Sequence, residues 1–258
     1  FPYTTLFRSQ YALIGASIGN AANDADNLAL LNDIVGGLQT SQVDTIAKIN
    51  DLARIANAIQ TVAAGGTPAP ALTDADLTQA GFSGVTPDNL PAVLAAIAAQ
   101  NDSGSETDSL VKVQTVITDA ANASAHALDV ISGFAQTNAT GLLSATGTAP
   151  ALPDFTAAAV TGVDASNLAA IQDALASAVI DAAKSNTRVQ VQAIVDAYNA
   201  VLSEANGATA DANVIDPTAA QYAAIGVTGV TTGVKTDLLG DVIGNKVSTD
   251  VDTVAEVQ

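Results

Sequence analysis

Three stretches of this 258-residue chain carry residues of a kind that could do chemistry. The single histidine, His126, follows Ser124 by two residues and precedes Asp129 by three, which supplies the types needed for a nucleophile, a base and an orienting carboxylate. On a helix, residues two apart point to different faces, so Ser124 and His126 cannot share the proton that such catalysis moves. What remains is a solvent-facing or lightly packed imidazole, with no second histidine to share a metal. Gly226 to Thr236, GVTGVTTGVKT, has the glycine spacing and the Lys235-Thr236 pair of a phosphate loop. That loop requires glycine directly before the lysine, where Val234 stands, and a strong strand ahead of it, which is missing. Asn101 to Ser109, NDSGSETDS, gathers Asp102, Ser103, Ser105, Glu106 and Asp108, hard oxygen donors of the kind calcium prefers. Their order is not that of an EF-hand. Two readings stand: a solvated interhelical loop, or a weak calcium site with Asp102, Glu106 and Asp108 as ligands. No other cofactor is indicated.

Composition narrows the partners. Acidic residues outnumber basic ones 26 to 8, a net charge of −18, which opposes the phosphate neutralisation of nucleic-acid binding and adsorption to anionic lipid. The same charge keeps an exposed protein soluble. Zero cysteines exclude a disulfide framework and thiolate zinc sites. No run approaches the roughly 18 apolar residues of a membrane span, the densest being Pro91 to Ala99. Hydrophobic residues make up 48% of the chain, yet aromatics only 3%. Small aliphatic side chains suit closely packed thin helices better than a deep ligand pocket. Residues 1–10, FPYTTLFRSQ, lack an initiator Met and the apolar core and cleavage site of a signal peptide. They resemble a translated adapter or cloning scar and are set aside from fold reasoning.

The elements that must position any site are repeated. GFSGVTPDNL (Gly81 to Leu90) returns as AAVTGVDASNL (Ala158 to Leu168), as AIGVTGVTTGVKTDL (Ala224 to Leu238) and, in degenerate form, as YALIGASIGNAANDADNL (Tyr11 to Leu28). A second motif follows each copy: VDTIAKIN at Val43, TDSLVKVQ at Thr107, SNTRVQVQ at Ser185 and VDTVAEVQ at Val251. Two motifs recurring in one order define an internal repeat, with boundaries 11–66, 67–149, 150–213 and a truncated 214–258. The recurring pairs Asn89-Leu90, Asn167-Leu168 and Asp237-Leu238 place a polar residue in a helix's first turn and a leucine in the core.

Local physics predicts three helices per copy, a short, a medium and a long one. ALTDADLTQAG, ALPDFTAAAV and IDPTAAQYAAIG are the short ones, capped by Asp or Thr. Thr86 or Asp164 then caps the medium helix, with Pro87 at its first position, and the third copy's medium helix is expected to run to Lys184. Asp44, Asp108 or Thr107, Asn186 or Ser185, and Asp252 are expected to cap the long one. In the long helices, Ile46, Ile49, Ala53, Ala56, Ile59 and Val62, then Leu110, Val113, Ile117, Ala120, Leu128 and Ile131, then Val191, Ile194, Tyr198 and Val201, recur in steps of three and four as a buried stripe. The Gly-Val-Thr-Gly-Val strings could instead form short strands. The fold expected is all-α, a tandem array of about three and a half small three-helix modules.

These phrases, TGVDASNLAAI followed by VQAIVDAYNAVLSEANGATAD (Val191 to Asp211), resemble the alanine-rich helical repeats of large bacterial surface adhesins and related repetitive extracellular proteins. The resemblance implies a type I-secreted, extracellular or cell-surface protein whose repeats form a stalk or contribute to matrix and adhesion, with no catalytic residues. Neighbouring repeats of the same chain are the first partners. The alternative is a helical binding module that grips a host or matrix protein, which would need an apolar exposed patch recurring from unit to unit. An enzyme is not expected.

Overall fold

The computed structural model describes residues 6–100, 105–139, 148–207, 216–231 and 233–258. In chain order its α-helices are α1 (Arg8–Leu13), α2 (Ala25–Gly37), α3 (Ile46–Ala63), α4 (Asp74–Gln79), α5 (Leu90–Ala98), α6 (Leu110–Ala139), α7 (Leu152–Ala157), α8 (Leu168–Leu175), α9 (Arg188–Glu204), α10 (Ala219–Ala224), α11 (Gly233–Gly244) and α12 (Val254–Val257). Among the described residues no strand forms. The Gly-Val strings fold as turns, because each needs left-handed backbone that a strand does not contain.

Lengths run short, medium, long three times, and a fourth short and medium helix precede α12. The chain divides into two compact units, Phe1–Asn122 and Ala123–Gln258. The first has a core that includes Leu30, Ile34, Ile55, Ile59, Leu77 and Ile97. The second has its own, including Phe155, Ile171, Val195, Tyr198 and Tyr222. Each such side chain contributes about 1.5–3 kcal/mol by leaving water. The dividing line falls inside α6, which gives Val113 and Ile117 to the first core and Leu128 and Ile131 to the second.

The stripes expected along the long helices are mostly buried, with Ile49, Leu110 and Ala120 half-buried. Ala53, Ala56, Ile59, Val62, Val191, Ile194, Tyr198 and Val201 are buried, whereas Ile46 in the first turn of α3 is 46% exposed.

Several helix starts differ from expectation by one residue or one turn. The long helices are capped by Thr45, Ser109, Thr187 and Thr253, not by Asp44, Asp108, Thr107, Asn186, Ser185 or Asp252. Each hydroxyl accepts the N–H three residues on, from Lys48, Lys112, Gln190 and Glu256. The side chains of Gln190 and Glu256 reach back to the Thr187 and Thr253 N–H groups, a capping box that a preceding Asp could not close. The medium helices begin at Leu90 and Leu168, so Pro91 rather than Pro87 lies in the first turn. Thr86 still accepts the Asn89 N–H, at 3.2 Å. Helix α8 stops at Leu175 rather than at Lys184, and Ile180 turns into the core beyond it.

Within the segment set aside as foreign, residues 8–10 open α1, and the Leu6 carbonyl accepts from Asn32 at 3.0 Å.

Inside each unit the second long-helix start is gripped by the preceding copy. Asp33 of α2 accepts the Leu110 N–H at 3.3 Å, and Asp173 of α8 accepts the Val254 N–H at 2.6 Å. Two residues before the capping hydroxyl, the Thr107 carbonyl accepts from Gln60 of α3 and the Val251 carbonyl from Tyr198 of α9.

Candidate functional site

The residues that the sequence repeats most faithfully form a turn, built four times. Two residues before its end each short helix carries a buried large residue, Tyr11, Leu77, Phe155 or Tyr222. Its carbonyl accepts the N–H five residues on, from Ala16, Phe82, Val160 and Val227. The residue before each of those donors is left-handed: Gly15, Gly81 and Gly226 with φ of 78°, 92° and 96°, and Ala159 with φ of 54°. This is the closure that satisfies carbonyls at a helix C-terminus, and it favours glycine.

A long-helix amide then holds the turn. The Gln114 side chain accepts the Ser83 N–H at 3.0 Å and donates to the Ser83 carbonyl at 3.1 Å. Gln192 does the same to Thr161, at 2.8 and 3.0 Å, and Gln258 to Thr228, at 2.9 and 3.1 Å. Asn50, one methylene shorter, makes only the first bond, to Ser17 at 2.7 Å. These are the last residues of the four copies of the second motif. Sequence reasoning missed their role, although the recurring polar residue in an apolar helix was the signal.

The paired asparagines complete the turn. Asn89 accepts from the Thr86 N–H and donates to the Gly84 carbonyl, both at 2.8 Å. Asn167 accepts from Asp164 at 2.8 Å and donates to Gly162 at 2.7 Å. The five-residue step from glycine to asparagine is thus the reach of one hydrogen bond. In the fourth copy the Lys235 ammonium donates to the Gly229 carbonyl at 2.8 Å. The lysine of the phosphate-loop reading is used on its own turn.

The other singled-out residues do not converge. His126 and Asp129 are exposed and Ser124 is buried, so no triad forms. Asp102 lies outside the described residues. Glu106 is exposed, and Asp108 pairs with Lys112 at 2.9 Å, as Asp44 pairs with Lys48 at 2.7 Å. Hydrogen bonding to Lys48 is the main cause that holds the Asp44 carboxyl below its usual value. Lys48 and Lys112 also donate to the Ser41 and Ser105 carbonyls seven residues back, both at 2.6 Å, and Gln190 reaches Ala183 the same way at 2.9 Å. These polar side chains fasten the loops before the long helices. Among the described residues no group of three His, Cys, Asp or Glu is placed to hold a metal ion.

One cleft of about 430 Å³ in the first unit is lined by Asn20, Asn50, Arg54, Asn57, Thr61 and Pro68, among others. Most of its polar groups already serve the fold. Asn57 accepts from Ala21 and Asn27 and donates to the Ile18 carbonyl, and Arg54 pairs with Asp76. Burial pushes the Asp76 carboxyl up, but bonds from Arg54 and Thr73 outweigh it and hold the group below its usual value. Asp216, beside a second cleft of about 450 Å³, is pushed up by burial and by Asp241 and Asp237. The clefts offer amides, hydroxyls and carboxylates, a chemistry suited to weak polar contact.

No protein-family model matches the chain, and neither the curated proteins nor the solved structures contain a match. Among the described residues no helix is long and apolar enough to cross a membrane.

Proposed function

We propose that the chain is a structural repeat region: tandem three-helix modules that act as a stalk or spacer of an extracellular bacterial adhesin or matrix protein and present other domains without turnover. The observation that carries this reading is the reuse of polar side chains. In every copy the amides at the turn, and in three copies the Lys or Gln in the first turn of the long helix, bind the chain's own backbone. Residues kept across copies therefore serve the module, as expected for an array whose stability sums over repeats and their interfaces.

The binding-module alternative needs a matching apolar patch in each copy. Among the described residues from 11 on, the large exposed apolar residues fall at different places instead: Leu13, Ile14 and Ile46 in the first copy, Val111 in the second, Val179 and Val189 in the third, and Val234, Leu238, Val242 and Val247 in the fourth. Only Val111 and Val189 stand at the same step from their caps. This pattern favours the spacer.

The test is an exchange. Displayed between a surface anchor and a tip of known ligand, the chain should support tip binding as well as an unrelated helical repeat of equal length does. Without a tip it should retain neither host nor matrix proteins. Retention by the tipless chain would sink the spacer reading in favour of the binding module.

A further inference from the structure

Asn206-Gly207 is the single Asn-Gly pair of the chain. Glycine has no side chain to screen its nitrogen, so in a free chain that nitrogen can close on the asparagine side chain. In the fold it is held. Helix α9 ends at Glu204, and the turn beyond it keeps Glu204 and Ala205 inside, 7% and 5% exposed, with Asn206 and Gly207 outside. The Asn206 N–H donates back to the Glu204 carbonyl at 2.7 Å, and the Gly207 N–H donates to the Lys246 carbonyl at 2.9 Å. Asn206 and Val247 pair there as an isolated antiparallel bridge, which fastens the end of α9 to the loop after α11. Space does not call for the glycine, since a Cβ on it would meet only Val247 Cγ1, at 4.0 Å. Its φ of 77° does.

We propose that Asn206 is a site of spontaneous covalent modification, closed while the Gly207 N–H stays on Lys246 and open when the bridge parts. Once free, the Gly207 nitrogen gives its proton to hydroxide and attacks Asn206 Cγ. The new N–C bond closes a five-membered succinimide, and the side-chain nitrogen, reprotonated by water, leaves as ammonia. Water then adds to one or other ring carbonyl and opens the ring to aspartate or isoaspartate. No oxidant and no cofactor enters.

Both products work against the bridge. Each sets a carboxylate where a neutral amide stood, two residues from the buried Glu204. Isoaspartate also carries the main chain through Cβ, one atom longer, which takes the Gly207 N–H out of register with the Lys246 carbonyl. A modified chain therefore loses the contact that had protected it. The site does not depend on the stalk reading.

The full chain tests this, incubated native and in guanidinium in a mildly alkaline buffer and mapped by peptide mass spectrometry for amide loss and isoaspartate. The denatured chain should convert at Asn206 ahead of its other asparagines. The native chain should convert more slowly, by at least the factor of about 2–10 that one hydrogen bond of about 0.5–1.5 kcal/mol net implies. Hydrogen exchange at the Gly207 N–H should be slowed by the same factor, because both reactions wait for the same opening. Val247 is 51% exposed, and Val247→Gly loosens the backbone beside Lys246. At a temperature where circular dichroism shows both chains folded, it should speed native conversion and Gly207 exchange together by about 2–5-fold, with the denatured rate unchanged. Equal rates in native and denatured chains would overturn the proposal. So would native conversion that ignores Val247→Gly, or a denatured chain whose Asn206 stays intact.

Discussion

Gln192 holds Thr161 by both ends of its side-chain amide, accepting the Thr161 N–H at 2.8 Å and donating to its carbonyl at 3.0 Å across 31 residues of sequence. The bond pair ties a long helix to the turn between a short and a medium one. Gln192→Ala removes this pair, together with the exposed bonds to the Thr161 hydroxyl and to Asp196; with each bond of the pair worth about 0.5–1.5 kcal/mol net, the second unit should lose about 1–2 kcal/mol or more in chemical denaturation. Gln192→Glu keeps the acceptor and loses the donor, and should fall between.

The caps give a sharper contrast. Thr187→Ala should cost the second unit about 0.5–2 kcal/mol, because its hydroxyl accepts the Gln190 N–H. Asn186→Ala should cost a few tenths at most. If thermal melts rank the two the other way, the capping position is wrong.

Ala159 stands in a left-handed position that glycine fills in the other three copies. The steric cost for a side chain there is about 1–2 kcal/mol, and glycine's extra freedom in the unfolded chain takes back about 0.5–1 kcal/mol. Ala159→Gly should therefore stabilise the second unit by about 0.5–1 kcal/mol, a shift that calorimetry resolves.

Acid should act in opposite senses at two carboxyls, Asp216 and Asp76. The Asp216 carboxyl is raised above 3.8, first by burial and then by Asp241 and Asp237. The folded state thus binds its proton more tightly than the unfolded state, which costs stability at neutral pH, and the cost fades as pH falls through the raised value. Asp216→Asn should raise the melting temperature of the second unit at pH 7 and give no gain near pH 3.8. Asp76 is lowered instead. The stability it contributes to the first unit is present above 3.8 and is lost only as pH falls through its folded-state value below that. Arg54→Gln should shift that loss upward in a pH series of melts.

Helices and their buried faces were legible because apolar residues recur at steps of three and four, as Val191, Ile194, Tyr198 and Val201 show. The turns were legible as breaks, since Gly81 and Gly84 recur. Cap identity was not, because Asp44 and Thr45 are both good caps by type. In the third and fourth copies Gln190 and Glu256, three positions after Thr187 and Thr253, settle the cap by closing a capping box, and in the first copy Asp44 faces Lys48 instead. The amide clamp stayed hidden for another reason. Gln192 on a helix surface looks solvated until the partner backbone 31 residues upstream is known. Calcium at Asp102, Glu106 and Asp108 remains a proposal in which the ion must displace Lys112 from Asp108.

The carboxylates that grip a following helix are present in alternate copies. Asp33 and Asp173 each follow the medium helix's recurring leucine by five residues, and Ala95 and Ile243 stand at the same step in the second and fourth copies. A crossover between genes that slipped by one copy would set a copy that lacks the carboxylate ahead of a long helix that needs it. A slip of two copies would leave every grip intact. By this geometry the pair of copies, not the single copy, is the unit whose insertion or removal keeps both grips.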